Sequence, residues 1–111
     1  MDNWMKEVPM EIAICDKDGV ILYMNDVALE IFAPDGGKAL IGTNLLDCHP
    51  EPSRSKLVDM LKEEKVNTYT TERQGKKKII HQTPWYENGE YKGLVEISFS
   101  LPANMAHFKR D

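Results

Sequence analysis

The sequence predicts an α+β fold built on an antiparallel sheet. Turn signals at residues 16–19, 74–75 and 88–89 each separate two β-rich runs, and the Asn-Gly at 88–89 is typical of a tight hairpin. The clearest helical periodicity lies between the first pair of runs and the later ones. The predicted order is β-β-α, short helices, then α-β-β-β. Strands clustered at both ends of a chain favour antiparallel pairing over a parallel βαβ arrangement.

The first predicted elements are a hairpin and a short helix. Residues 11–24, EIAICDKDGVILYM, contain two apolar runs around an Asp-Gly turn. Asn25 or Asp26 supplies the N-cap of the helix, which the sequence PDGG at residues 34–37 ends. The apolar side chains at i, i+3 and i+4 spacing on this helix are Ala28, Ile31 and Phe32.

The second predicted helix covers residues 52–65, PSRSKLVDMLKEEK, and has the strongest pattern in the chain. Pro52 suits the first turn, where its missing backbone N–H costs nothing. Leu57, Met60 and Leu61 form one apolar stripe. We expect this stripe to pack against the strands and to form the centre of the core.

The last third of the chain predicts three strands, at about residues 68–72, 77–85 and 91–101. In the last of them, two alternating sets of side chains imply that one face is buried. The sets are Val95, Ile97 and Phe99 on one side, and Leu94, Glu96 and Ser98 on the other.

Length and charge limit the classes of function. The 111 residues predict one small domain, with residues 1–8 as an N-terminal extension and 102–111 as a C-terminal tail. The net charge is −4 and the longest basic run is residues 76–78, so nucleic acid binding is not expected. No stretch approaches the ~20 apolar residues of a membrane span, and the polar N-terminus is unlike a secretory signal. We therefore expect a cytoplasmic protein, with its two cysteines unpaired.

Three segments resemble the PAS domain family, over roughly residues 8–101. The segment AICDKDGVILYMND is similar to the entry hairpin that leads to an Asn before the first helix. LIGTNLLDCHPEPSRSKL is similar to the Gly-x-Asn-Leu-Leu-Asp segment that precedes the long helix, and PWYENGEYKGLVEISFS to the closing hairpin. The Cys-His-Pro in the second segment suggests a stand-alone, sensor-type member.

The resemblance implies a five-stranded antiparallel sheet with helices packed on one face, a pocket between the long helix and the sheet, and frequent homodimerisation. It also implies a sensory or signalling module that binds a small ligand or a protein partner, and not an enzyme. Many PAS domains end in Asp-Ile-Thr before a coupling helix, whereas this chain has Ser100, Leu101 and Pro102. We therefore expect it to report through contacts with a signalling partner, without a fused kinase or cyclase.

By analogy with the family, apolar side chains from the sheet and both helices should line or cap the pocket. They are Met24, Phe32, Leu46, Leu57, Met60, Leu61, Tyr69, Ile80, Val95 and Ile97. The polar side chains expected to orient a ligand are Cys48, His49, Thr71, His81 and Gln82. Because neighbouring strand residues face opposite sides, His81 and Gln82 cannot both point inward. A fully packed core without a ligand is the alternative.

Haem and flavin are the cofactors that the resemblance raises. In oxygen-sensing haem PAS domains the iron-ligating His follows Pro-Glu-Pro by a few residues, and the matching position here is near Leu57, which cannot bind iron. A haem- or redox-sensing alternative would use Cys48, His49 or His81 as the axial ligand. Flavin photochemistry is not expected, because Leu45 replaces the Cys that directly follows Gly-x-Asn in photosensory members.

The segment LLDCHPEPSR, residues 45–54, raises the question of a metal or thiol site. A metal site needs three or four converging ligands, and the Cys and His residues of this chain are scattered. A cysteine-dependent enzyme would need a base near the Cys48 thiol. Adjacent side chains of an extended segment point apart, so His49 is badly placed and His81 is the other candidate. We expect a structural bend stiffened by its prolines, with one of Cys48 and His49 facing the pocket.

Trp4 and Met5 precede the first strand and have no obvious place in a single small core. We expect this N-terminal segment to pack across a homodimer interface, with a local cap on the protein's own sheet as the alternative.

Overall fold

The computed structural model describes residues 3–111. Its strands are β1 (Glu11–Asp16), β2 (Ile21–Met24), β3 (Asn67–Arg73), β4 (Lys76–Glu87) and β5 (Glu90–Ser100). Its helices are α1 (Asp26–Ile31), α2 (Ser53–Glu63) and three 3-10 helices at Ala33–Asp35, Gly37–Leu40 and Leu45–Cys48. The strands form one antiparallel sheet in the order β2-β1-β5-β4-β3, which confirms the predicted fold class. Within residues 3–111 no helix is long and apolar enough to cross a membrane.

Asn25 joins the first hairpin to α1 and is completely buried. Its Oδ1 accepts hydrogen bonds from the Ala28 N–H at 3.0 Å, as an N-cap does, and from the Ile12 N–H at 3.0 Å. Its Nδ2 donates to the Met5 carbonyl at 2.9 Å and to the Met10 carbonyl at 2.8 Å. One side-chain amide therefore ties together the N-terminal segment, β1 and α1.

The N-terminal segment, residues 3–10, lies against the start of α1. The Lys6 carbonyl accepts from the Asp26 N–H at 3.0 Å, and Lys6 Nζ is 3.2 Å from the Asp26 carboxylate. Trp4 is 57% exposed. The backbone of this segment thus forms a local cap, whereas the Trp4 side chain is open to solvent. The first two residues of the predicted 1–8 extension lie outside the described residues.

The core lies where α2 meets the centre of the sheet. This helix begins one residue later than predicted, at Ser53, and ends at Glu63. The buried cluster consists of Cys15, Met60, Leu61 and Leu94. The hydroxyl of Tyr91, on β5, donates to the Leu61 carbonyl at 2.7 Å and holds the last turn of α2 on the sheet.

The alternation in β5 is oriented opposite to the expected one. Leu94 and Ser98 are buried on the face that the helices cover, whereas Val95 and Ile97 lie on the other face. The expectation was wrong because the inner set contains polar residues that find partners inside. The hydroxyl of Ser98, for example, donates to the Glu11 carboxyl across the β1–β5 pair.

Leu61→Ala is expected to lower the free energy of unfolding by about 3 kcal/mol, because it leaves a void between α2 and the sheet. Leu61 is 7% exposed, while Val66, just beyond the helix, is 58% exposed and serves as the control. Val66→Ala should cost less than about 0.5 kcal/mol. Urea unfolding followed by tryptophan fluorescence measures both variants. Equal, small losses would mean that the apolar stripe of α2 faces solvent.

Candidate functional site

A cavity of about 640 Å³ lies between the sheet and the helical segment that runs from α1 to α2. Its walls combine apolar side chains with a smaller polar set, which is the usual composition of a small-molecule site. The apolar side chains include Ala13, Ile21, Met24, Ile31, Phe32, Leu40, Leu45, Leu57, Ile80 and Leu94. The polar side chains are Glu11, Asp35, Cys48, His49, Tyr69, Thr71, Lys78, Gln82 and Glu96.

Polar residues of adjacent strands meet on the sheet side of the cavity. The register places Glu96 of β5 between Ala13 of β1 and Gln82 of β4, and pairs Glu11 with Ser98. Gln82 Nε2 donates to Glu96 Oε1 at 2.7 Å, and the Ser98 hydroxyl donates to Glu11 Oε1. Glu11 and Glu96 lie diagonally across the β1–β5 pair on the same face of the sheet, close enough for Glu96 to influence the Glu11 carboxyl. We refer to these two glutamates as the carboxyl pair.

Burial, followed by the contact with Glu96, raises the pKa of Glu11 to about 8. The Ser98 hydroxyl and the positive charge of Lys78 lower the pKa of Glu11, but by less than burial and Glu96 raise it. Among residues 3–111 no donor reaches Glu11 Oε2, although Glu11 is only 3% exposed. The raised pKa means that Glu11 keeps its proton at neutral pH.

The stability of the protein is expected to fall as the pH rises from about 5 to about 8, by up to about 1.4 kcal/mol per pH unit. In this window the folded state keeps the Glu11 proton, whereas the unfolded chain, with a Glu11 pKa near 4.5, has released it. Glu11→Gln does not titrate and should flatten this dependence. Glu87→Gln, at the exposed end of β4, is the control and should retain it. Urea unfolding across the pH range measures the free energy of unfolding of each variant. Equal slopes of this free energy against pH for wild type and Glu11→Gln would contradict the raised pKa.

The structure brings together some of the predicted pocket residues and separates others. Those at the cavity wall are Met24, Phe32, Cys48, His49, Leu57, Tyr69, Thr71, Ile80 and Gln82. Met60 and Leu61 lie instead in the packed core beside the cavity. Leu45 takes the wall position that was expected for Leu46.

His81, Val95 and Ile97 were expected at the pocket but lie on the opposite face of the sheet, where a ligand in the cavity does not reach them. His81 pairs in register with Ile97, and its Nδ1 lies 2.7 Å from the Thr68 hydroxyl. The strand period of two is the physical reason. Because Gln82 faces the cavity, the adjacent His81 must face away.

The carboxyl pair is the part of the site that sequence reasoning missed. Glu11 opens the first strand, and Glu96 alternates with Val95 and Ile97, so both positions resemble the solvent side of half-buried strands. One signal was available: Leu94 next to Val95 puts large apolar residues on both faces of the last strand, so the set of Leu94, Glu96 and Ser98 could equally be the inward one.

Cys48 and His49 both line the cavity, although only one of them was expected to face it. Leu45–Cys48 form a 3-10 helix instead of an extended segment, so the side chains do not alternate there. His49 itself is extended, as the following Pro50 requires. Its Nδ1 lies 2.6 Å from the Leu45 carbonyl, directed at the backbone and not at the thiol. Cys48 is exposed.

The residues around the cavity offer few ligands for a metal or a haem. Among residues 3–111 no three His, Cys, Asp or Glu side chains are grouped to hold a metal ion. Leu57, at the position where the resemblance places an iron-ligating His, lines the cavity. Of the axial ligands considered, Cys48 and His49 reach the cavity and His81 does not.

Comparison with known proteins gives one family: a model of the PAS fold matches residues 5–99. A search among curated proteins finds no significant match. Similar solved structures include a C-terminal domain from Streptococcus mutans, with a TM-score of 0.68 and 20% identity, covering 86% of this chain and 78% of that one.

Two further structures come from Vibrio cholerae. The VqmA dimer, determined in the absence of its target DNA, has a TM-score of 0.62 and 17% identity, covering 87% of this chain and 48% of that one, so this chain spans about half its length. A receptor described as a dual PAS–haem oxygen sensor has a TM-score of 0.57 and 21% identity, covering 84% of this chain and 95% of that one. At these identities the similarity shows the fold alone.

Proposed function

The chain belongs to the PAS-fold family, and from that premise we propose that it is a sensory module that binds a small molecule in the cavity and reports through protein contacts. The observation that carries the proposal is the cavity of about 640 Å³, whose wall includes the carboxyl pair, with Glu11 Oε2 buried and without a partner among residues 3–111. The similarity to an oxygen sensor supports a sensory role. The two free cysteines of this chain suit a reducing cytoplasm.

The energetics of the carboxyl pair support a binding role. Burying two carboxyls inside a small domain costs free energy of folding. Replacing such groups by apolar residues of similar volume often leaves a protein equally stable or more stable. Groups with strongly shifted pKa values cluster at functional sites. The volume also lies within the ~300–1,000 Å³ that ligand pockets occupy.

The proposal is tested by the native mass spectrum and visible absorption spectrum of the protein as purified. Leu57→Trp places a large side chain in the cavity, and Lys56→Trp, at the exposed neighbouring position of α2, is the matched control. We expect a bound compound on the wild type and on Lys56→Trp, and its loss from Leu57→Trp. Absorption would reveal a haem or a flavin. A wild-type protein without a bound compound, or a compound that survives Leu57→Trp, would contradict the proposal.

We further propose that a second copy of the chain covers the outer face of the sheet. No helix within residues 3–111 packs on this face, and its apolar residues are partly exposed, with Phe99 at 45%. The apolar side chains on this face include Ile79, Val95, Ile97 and Phe99. The uncovered Trp4 side chain is available at such an interface, and the similar VqmA structure is a dimer.

Sedimentation velocity tests this assembly. Phe99→Lys should shift a dimer to monomer, because it places a charge in the middle of an apolar contact. Met105→Lys, in the exposed C-terminal tail, is the control and should leave the dimer unchanged. A chain without residues 1–8 tests the part played by Trp4. A monomeric wild type, or a dimer that Phe99→Lys leaves intact, would disprove the proposal.

A further inference from the structure

We propose that the cavity selects a compact, largely apolar molecule that carries a protonated nitrogen, and that the carboxyl pair binds this nitrogen. The inference rests on the proposed function, since it requires that the cavity takes a small molecule. It adds the chemical class of that molecule and the residues that choose it. It starts from the acceptors that the fold leaves without donors.

Each carboxyl of the pair has one oxygen that accepts a hydrogen bond from a neighbouring side chain. Ser98 donates to Glu11 Oε1, and Gln82 donates to Glu96 Oε1 at 2.7 Å. Among residues 3–111 nothing donates a hydrogen bond to Glu11 Oε2, although Glu11 is buried, with only 3% of its surface exposed. Asn67 fixes the amide of Gln82 by donating to its Oε1 at 3.0 Å, so Nε2 stays directed at Glu96. The only donor of the pair itself is the Glu11 proton, and an ammonium or amidinium group, which has several donors, could take its place.

The charges that face the carboxyl pair also favour a cation. Lys78 on β4 is the only lysine or arginine among the cavity residues, whereas Asp35 adds a third carboxyl from the helical side. The other titratable groups at the wall are Cys15 on β1, Cys48, His49 and Tyr69. Burial, followed by the charges of Glu96 and Glu11, raises the pKa of Tyr69, which is consistent with an excess of carboxyls at this wall. A carboxylate ligand would be repelled by these charges.

Binding of a cation should release a proton. Before binding, Glu11 holds a proton next to the Glu96 carboxylate. A positive nitrogen beside the pair stabilises the ionised form of both groups, so the Glu11 proton leaves to solvent while the ligand keeps its own. The bound state then contains two carboxylates and one ammonium, joined by charge-assisted hydrogen bonds.

The remainder of the ligand should be apolar. Most of the side chains that line the cavity are hydrocarbon or thioether. They include Met24, Phe32, Leu45, Leu57, Ile80 and Leu94. A chain or ring attached to the nitrogen would displace water from this apolar wall, and this contact would supply most of the binding affinity. The nitrogen, bound by the carboxyl pair, would supply the selectivity.

Three probes of equal shape test the inference: 4-phenylbutylamine, 4-phenylbutanol and 4-phenylbutyrate. Titration calorimetry of the full chain at neutral pH should show the amine binding about tenfold more tightly than the alcohol, and the carboxylate binding most weakly. Repeating the amine titration in two buffers of different ionisation enthalpy should show release of about one proton. Glu96→Gln and Glu11→Gln should remove most of the preference for the amine, while Glu87→Gln should retain it.

The outcomes separate this inference from the proposed function. If the alcohol or the carboxylate binds as tightly as the amine, the cavity binds ligands but the selectivity inferred here is wrong. The same conclusion follows if the amine preference survives both glutamine variants, whose folding is checked by circular dichroism. If none of the three probes binds, the inference is wrong, whereas the proposed function still depends on the native mass spectra of the wild type and of Leu57→Trp.

Discussion

Replacing Asn25 by alanine is expected to lower the free energy of unfolding by roughly 4–6 kcal/mol. The substitution removes four hydrogen bonds of 2.8–3.0 Å from a residue with no exposed surface. The N–H groups of Ile12 and Ala28 would lose their partner in the buried interior, and the carbonyls of Met5 and Met10 would lose theirs at part-buried positions. Each such orphaned group costs about 1–3 kcal/mol. Since small domains are stable by only ~5–15 kcal/mol, this variant should lie near the limit of folding.

Asn44→Ala is the matched control for Asn25→Ala. Asn44 also caps a helix, accepting from the Leu46 N–H at 2.9 Å and donating to the Asp18 carbonyl at 2.9 Å, but these bonds lie near the surface. Water can replace them, so the loss should be about 1 kcal/mol. Urea unfolding compares the two variants. Similar losses at both positions would mean that Asn25 acts as an ordinary cap and does not join three segments.

Gly93→Ala is the second variant expected to have a large effect, a loss of roughly 4 kcal/mol or more. A Cβ at this position would lie 2.0 Å from the Cys15 carbonyl oxygen and 2.7 Å from Asp16 Cα, and the φ angle is +152°. The clashing atoms belong to the backbone, so a change of side-chain rotamer cannot relieve the clash. The same carbonyl accepts a hydrogen bond from Trp85 Nε1 at 3.0 Å, so its retreat would break that bond and open the β1–β5 pair.

Gly89→Ala provides the control for Gly93→Ala. Gly89 has a φ of +80° in the β4–β5 turn, and nothing lies within 4 Å of its added Cβ. Its substitution should cost only about 1–2 kcal/mol, the strain of a left-handed conformation. If Gly93→Ala unfolds no more easily than Gly89→Ala, the close approach of β1 and β5 is not what requires glycine at 93.

The features of the fold that follow from local chemistry were predictable from the sequence. The Asp-Gly and Asn-Gly turns, the Asn before α1 and the apolar stripe of α2 each act within a few residues, and the elements they predicted are all present. The inward face of β5 was not predictable in the same way. Leu94 and Val95 are equally apolar, so the choice between them depends on which set finds partners on other strands.

The candidate site, like the inward face of β5, was only partly predictable from the sequence. That Cys48 and His49 both line the cavity depends on the 3-10 turn at Leu45–Cys48, which the two prolines do not predict. The carboxyl pair depends on the register of β1 against β5, a contact between residues far apart in the chain. Patterns along one strand report its two faces, but they do not identify which face the rest of the chain will cover.

A titration followed through the δ1-methyl signals of the isoleucines shows directly whether a small molecule enters the cavity. Ile80 and Ile21 line the cavity, whereas Ile79 and Ile97 lie on the other face of the same strands or their neighbours. With the three phenyl probes, we expect saturating shifts of the Ile80 and Ile21 methyl signals, largest for the amine, and little change in the signals of Ile79 and Ile97. Shifts confined to Ile79 and Ile97, or no shift with any of the probes, would contradict it.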